Sequence, residues 1–147
     1  MASEILPYLF LGNANDAIHS SINVKLVVNC TKNLPFYSPD VQQIRIDIDD
    51  DGNETDEIIK YWTNNRFDII INHIMQEHDV LIHCQMGRQR SAATVAAFIM
   101  YALKWPLDKT IEHIKSKKRD AFFPEINFIK SLEEYEEYLK SRLMFLS

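Results

Sequence analysis

The chain has 147 residues, 46% of them hydrophobic, which is enough to bury one ordinary core, so a single domain over 1–147 is expected. Lys and Arg number 16 against 21 Asp and Glu, and the net charge of −5 argues against a general nucleic-acid or membrane-surface binder, so any anion site must be local. Two cysteines, Cys30 and Cys84, make no disulfide framework, the start has no charged and then apolar leader pattern, and no apolar run approaches about 18 residues. The expectation is a soluble intracellular protein, cytoplasmic or nuclear, with no membrane span and no stable nucleic-acid partner.

From the N-terminus, the first strand is read at 8–11, ending at Gly12, and a short helix at 14–20. A strand at 25–30 follows, then one at 42–47 that continues into the alternation Ile44, Ile46, Ile48 expected of a half-buried strand. An acidic turn, Asp47-Ile48-Asp49-Asp50-Asp51-Gly52-Asn53-Glu54-Thr55-Asp56, leads into one long helix at 56–76, and a strand at 79–83 comes next. Helices are expected at 92–104, 108–118 and 126–143. The helix from 92 is apolar on nearly every side and belongs in the core. In the last helix Phe128, Leu132, Tyr135, Leu139 and Leu143 recur at 4-3-4-4 spacing, which leaves Glu133, Glu134, Glu136 and Glu137 facing water. Strands interleaved with helices predict an α/β fold: a central, mostly parallel sheet of about four to five strands flanked by helices.

The chemistry concentrates between strand 79–83 and the helix from 92, where the chain reads His83-Cys84-Gln85-Met86-Gly87-Arg88-Gln89-Arg90-Ser91. Finding His, Gly, Arg and Ser at those fixed places around a given Cys is a chance event of about 10⁻⁵. A short strand, a glycine-bearing turn and a helix aim several backbone N–H groups and a helix N-terminus at one anion, which is a phosphate cradle. Cysteine attacks only as thiolate, and a helix N-terminus beside an arginine favours that form of Cys84. The amides of Gln85, Met86, Gly87, Arg88, Gln89 and Arg90 can bind the equatorial oxygens of a transferring phosphoryl group, and the planar fork of Arg90 can clamp two of them. Gly87 lets the backbone curl around the anion. Ser91 can donate to the sulfur and make it a better leaving group, or simply cap the helix, while His83 braces the loop. Asp47, Asp49, Asp51 and Gly52 copy half of a calcium loop, but Ile58 stands where the bidentate Glu belongs, so no metal and no other cofactor is expected.

This loop resembles the His-Cys-x5-Arg-Ser signature of cysteine-dependent dual-specificity phosphatases, and the resemblance covers most of the chain. Residues 5–12 with Asp16 and Ala17 are similar to the family's opening hairpin and first helix, and residues 27–31 to its next core strand. Lys118, Arg119, Pro124, Phe128 and Leu132 are similar to its run into the last helix. The resemblance implies a phosphatase fold and a cysteinyl-phosphate intermediate. It also implies a carboxylic acid on the loop before the long helix, which protonates the leaving oxygen and then activates water. Aligning Ile46-Asp47-Ile48-Asp49-Asp50 on the family's pattern selects Asp50, with Asp49 and Asp51 still open.

A short chain of this family implies a shallow pocket, hence phosphorylated protein substrates carrying phosphotyrosine or phosphoserine and phosphothreonine. The absence of an extension before the hairpin leads to the expectation of a monomer. Arg88 departs from the family's usual small residue and raises an alternative of the same mechanism on a phosphoinositide, another phospholipid or an RNA 5′-phosphate. A weakly active phospho-binding module is a third reading. Gln89 stands where Ser is frequent, Glu125 where Asn is usual and Ser131 where Gln is frequent; a carboxylate at 125 near the site would repel substrate. Cys30 is either an inert buried thiol or a redox partner of the nucleophile.

Overall fold

A computed structural model describes residues 1–19 and 23–142. Its elements are β1 (Ser3–Leu6), β2 (Leu9–Gly12), α1 (Ala14–Ile18), β3 (Val24–Asn29), β4 (Gln42–Arg45), α2 (Thr55–Trp62), α3 (Arg66–Met75), β5 (Asp79–His83), α4 (Arg90–Leu103), α5 (Leu107–Lys117) and α6 (Ile129–Ser141). The five strands lie in the order β1-β2-β5-β3-β4, antiparallel between β1 and β2 and parallel elsewhere. This is the expected mostly parallel α/β sheet, with β5 at its centre.

Alternation alone does not reveal β1, because only Ile5 in it is fully buried; the hairpin of the family resemblance is what anticipates it. The expected helix at 56–76 is two helices. Asn65 sits at φ 62, a left-handed conformation that Asn tolerates and a helix interior does not, and the Thr63 hydroxyl turns back to the Ile59 carbonyl at 3.0 Å. Helix α1 is fixed by a reciprocal cap between Asn13 and Asp16. Ser20 at the end of the expected first helix and Leu143 in the last lie outside the described residues.

The main core sits between the sheet and α2 to α6. Every residue of α4 from Ser91 to Met100 is buried, as its all-round apolar character demands. Ile44, Ile46 and Ile48 all point inward, as do Phe128, Leu132, Tyr135 and Leu139. Glu136 departs from a purely solvated face: its carboxylate accepts the backbone N–H of Leu107 at 2.7 Å, an end group of α5 that the helix itself leaves unpaired. A smaller cluster of Ala17, Val24, Val27 and Leu81 covers the opposite face of the sheet. Among the described residues no helix is long and apolar enough to cross a membrane.

Candidate active site

Strand β5, paired on both sides, ends at His83 and delivers Cys84 to the carboxyl edge of the sheet, and the chain then curls through 85–89 into α4. Two neighbours hold the curl from outside. On one side the N–H of Ala14 donates to the Gln85 carbonyl at 3.1 Å; on the other the N–H of Phe122 donates to the Arg88 carbonyl at 2.7 Å. Gly87 adopts φ +72, and a Cβ there would lie 2.7 Å from the Gly12 carbonyl oxygen, so only glycine fits.

Inside the curl the Cys84 sulfur is buried and lies 3.1 Å from the Ser91 hydroxyl. Ser91 is not the cap of α4, whose cap position is Gln89, and its hydroxyl faces the sulfur. His83 is fully buried, with Nδ1 3.4 Å from the Cys84 carbonyl. A carbonyl can only accept, which puts the proton on Nδ1 and leaves Nε2 bare and unpartnered. Burial pushes the imidazole below its ordinary value and favours its neutral form.

Arg90, the first residue of α4, crosses to the acidic turn. Its Nη1 donates to the Ile48 carbonyl at 3.3 Å, and its Nε lies 3.3 Å from Asp50 Oδ1. That Nε is buried and, despite the ion-pair distance, has no well-aligned acceptor. The other two candidate acids are engaged elsewhere. Asp49 pairs with Lys32 at 3.4 Å, and Asp51 Oδ1 accepts the N–H of Asn53 at 3.0 Å. Asp50 is thus the carboxylate facing Arg90, and burial pushes it above the ordinary carboxylate range against the pull of the guanidinium.

Three residues make side-chain or backbone contacts that the local pattern does not show. Arg88 is no free cation on the rim: its Nε lies 3.2 Å from Asp120, which Lys118 also binds, and its guanidinium faces the ring of Phe123. Gln89 is buried, and its side chain turns away from the cradle to donate to the carbonyls of Phe123 and Glu125 at 3.1 and 2.7 Å. At Glu125 it is therefore the backbone that meets the loop. The residue missed is Asn127, whose N–H donates to Gln89 Oε1 at 3.0 Å and whose Nδ2 donates to the Asp50 carbonyl at 2.9 Å. Directly after Pro124 the chain has Glu125 where Asn is usual; an Asn stands three places after Pro124, next to Phe128, and that nearness is its only mark in the sequence.

Cys30 follows β3 beside the end of β5, its N–H donating to the His83 carbonyl at 2.8 Å. Its thiol is 3.6 Å from the Thr94 hydroxyl, and burial pushes it well up, so it stays protonated and poorly nucleophilic. Thr94 in turn donates to the Arg90 carbonyl at 3.0 Å and accepts from Trp62 Nε1 at 3.3 Å, which ties α2 to the first turn of α4.

Residues 9–138 match the family model described as the dual specificity phosphatase catalytic domain. The chain is 33% identical over 143 residues to a protein phosphatase Slingshot homolog of Xenopus laevis, covering 93% of this chain and 20% of that one. It is 32% identical over 140 residues to the putative tyrosine phosphatase 123R of invertebrate iridescent virus 6, covering 95% and 94%. The chain thus spans about a fifth of the Xenopus relative, and 13% of the Drosophila melanogaster Slingshot. Among solved structures, human DUSP28 superposes with a TM-score of 0.83 at 27% identity, covering 95% of both chains. A mouse putative dual specificity phosphatase complexed with zinc tungstate superposes at 0.85 and 26%, covering 98% of this chain and 91% of that one.

Proposed function

The chain belongs to the dual specificity phosphatase family, and from that premise we propose that it hydrolyses phosphotyrosine and phosphoserine or phosphothreonine in proteins through a cysteinyl-phosphate intermediate. The Cys84 sulfur attacks phosphorus, forming the S–P bond as the P–O bond to the substrate breaks. Asp50 gives its proton to the departing oxygen. In the second half Asp50, now a carboxylate, takes a proton from water as that water attacks phosphorus. The S–P bond breaks, phosphate leaves, and Ser91 steadies the released thiolate. The loop amides and Arg90 hold the equatorial oxygens through both steps.

The observation that carries this reading is one constellation. A buried sulfur lies 3.1 Å from a hydroxyl at the start of α4, and Arg90, the first residue of that helix, has a buried Nε that lacks an aligned acceptor and faces a carboxylate 3.3 Å away. A site that only bound phosphate would have no use for the hydroxyl on the sulfur or for a carboxylate at its mouth. Arg88, the residue that favoured a phospholipid or RNA end, is ion-paired with Asp120 and so is not free on the rim, which favours phosphoprotein as the substrate. The single sheet and the one main core packed on it support reading the chain as one catalytic domain.

The test is a side-by-side rate comparison on phosphotyrosine peptide, phosphothreonine peptide, phosphoinositide and triphosphorylated RNA, with Cys84→Ser as control. Turnover of both peptides above the other two, abolished by Cys84→Ser, is expected. Preference for the lipid or the RNA overturns the substrate assignment, and retained hydrolysis by Cys84→Ser overturns the nucleophile.

A further inference from the structure

We propose that Asn127, seated by Gln89, is the positioning residue that holds the acid loop over the phosphate loop, so that Asp50 reaches the leaving oxygen only when this bridge is intact. The proposal rests on the reading of Asp50 as proton donor. Asn127 touches both loops through separate groups. Its backbone N–H is taken by Gln89 Oε1 at 3.0 Å, and its side-chain Nδ2 donates to the Asp50 carbonyl at 2.9 Å. Its own carbonyl lies under Gly52, where a Cβ would stand 2.0 Å from the oxygen, so the acid loop is packed onto this residue as well as bonded to it.

Gln89 supplies the rigidity. Being buried, it must satisfy its amide internally, and it does so with both donors on carbonyls of 123 and 125 and its oxygen on the N–H of 127. A serine at that place could not span the loop. The longer side chain and an Asn placed three residues after Pro124 therefore belong together: each makes sense of the other. No other hydrogen bond from α6 or the segment before it reaches the backbone of Asp50 among the described residues. The turn is otherwise tied by Glu54 to the N–H of Asp49 at 2.7 Å, by Asp51 to the N–H of Asn53 at 3.0 Å, by Lys32 to Asp49 and Glu54, by Arg90 to the Ile48 carbonyl and to the Asp50 carboxylate, both at 3.3 Å, and by Ser131 to the Thr55 hydroxyl at 3.1 Å; none of these takes the Asp50 carbonyl.

General acid catalysis is worth about 10²–10⁴-fold and is needed in proportion to how poor the leaving group is. A displacement of about 1 Å costs on the order of 10²-fold. Asn127→Ala is therefore expected to lose at least about tenfold more kcat on phenyl phosphate than on p-nitrophenyl phosphate, whose leaving group needs little protonation. Asp50→Asn should show the same leaving-group dependence, and adding Asn127→Ala to Asp50→Asn should change phenyl phosphate turnover by no more than about twofold, because the group being positioned is gone. Gln89→Ala is the independent arm and should repeat the signature, with melting temperature measured for all variants.

Equal losses on both substrates in Asn127→Ala and Gln89→Ala, or additive losses in the double variant, would show that the bridge only stabilises the fold and would overturn the proposal. If Asp50→Asn itself loses equally on both substrates, the fault lies with the proton donor, and the proposal falls with it. If Asp50→Asn discriminates and Asn127→Ala does not, the clamp alone is wrong.

Discussion

Ser91→Ala removes one oxygen and should separate the two halves of the reaction. The hydroxyl lies 3.1 Å from the Cys84 sulfur, and both side chains are buried, so no water replaces it. A hydrogen bond to a charged group contributes about 1.5–3 kcal/mol. In the first half the sulfur spends its negative charge, so losing the donor does not slow attack. In the second half the charge returns to sulfur, and the full interaction is missing from the transition state. At about 1.4 kcal/mol per tenfold, breakdown of the thiophosphate should slow by roughly 10- to 150-fold. Stopped-flow turnover of p-nitrophenyl phosphate should then show a burst of nitrophenol close to one equivalent of enzyme, followed by a slow steady rate, and acid quench should recover phosphoenzyme. Steady turnover within about twofold of wild type, with no burst, refutes the assignment of the hydroxyl to the sulfur.

The pH profile carries a second expectation: since Asp50 must be protonated to act as acid and its carboxyl is held above the ordinary range by burial, kcat falls as pH rises through a value above that of a free aspartate. Asp50→Asn should abolish this alkaline limb, and a limb that persists assigns it to another group. Gly87→Ala places a Cβ 2.7 Å from the Gly12 carbonyl at φ +72, so the loop must open; a loss of roughly 10²-fold in kcat/KM with the melting transition retained is expected, and wild-type activity would mean the loop has slack. Thr94→Val keeps the shape but strands the Trp62 indole N–H and removes a bond to the Arg90 carbonyl; about 1–3 kcal/mol of stability should be lost in urea titration, and an unchanged midpoint would show that the hydroxyl contributes nothing.

The loop between β5 and α4 was legible in the amino-acid sequence, because a strand, a six-residue loop and an apolar helix are contiguous and their geometry is set locally. Cys84, Gly87, Arg90 and Ser91 stand out by their spacing and by the family signature they resemble, and α4 was legible as core because no face of it is polar. The buried alternation at Ile44, Ile46 and Ile48 was equally plain, since a period of two admits one reading. What tertiary structure decided is everything that joins segments far apart in the chain. Three neighbouring aspartates are chemically alike; the family pattern points to Asp50 but leaves its neighbours open, and the approach of Arg90, forty residues on, and of Lys32 is what sets Asp50 apart from Asp49 in space. The fates of Arg88, Gln89 and Glu136 depend on Asp120, on the carbonyls of 123 and 125 and on the N–H of Leu107, partners that no local pattern announces. Periodicity reports which side of an element is buried; a polar side chain's task is set by what the fold brings opposite to it.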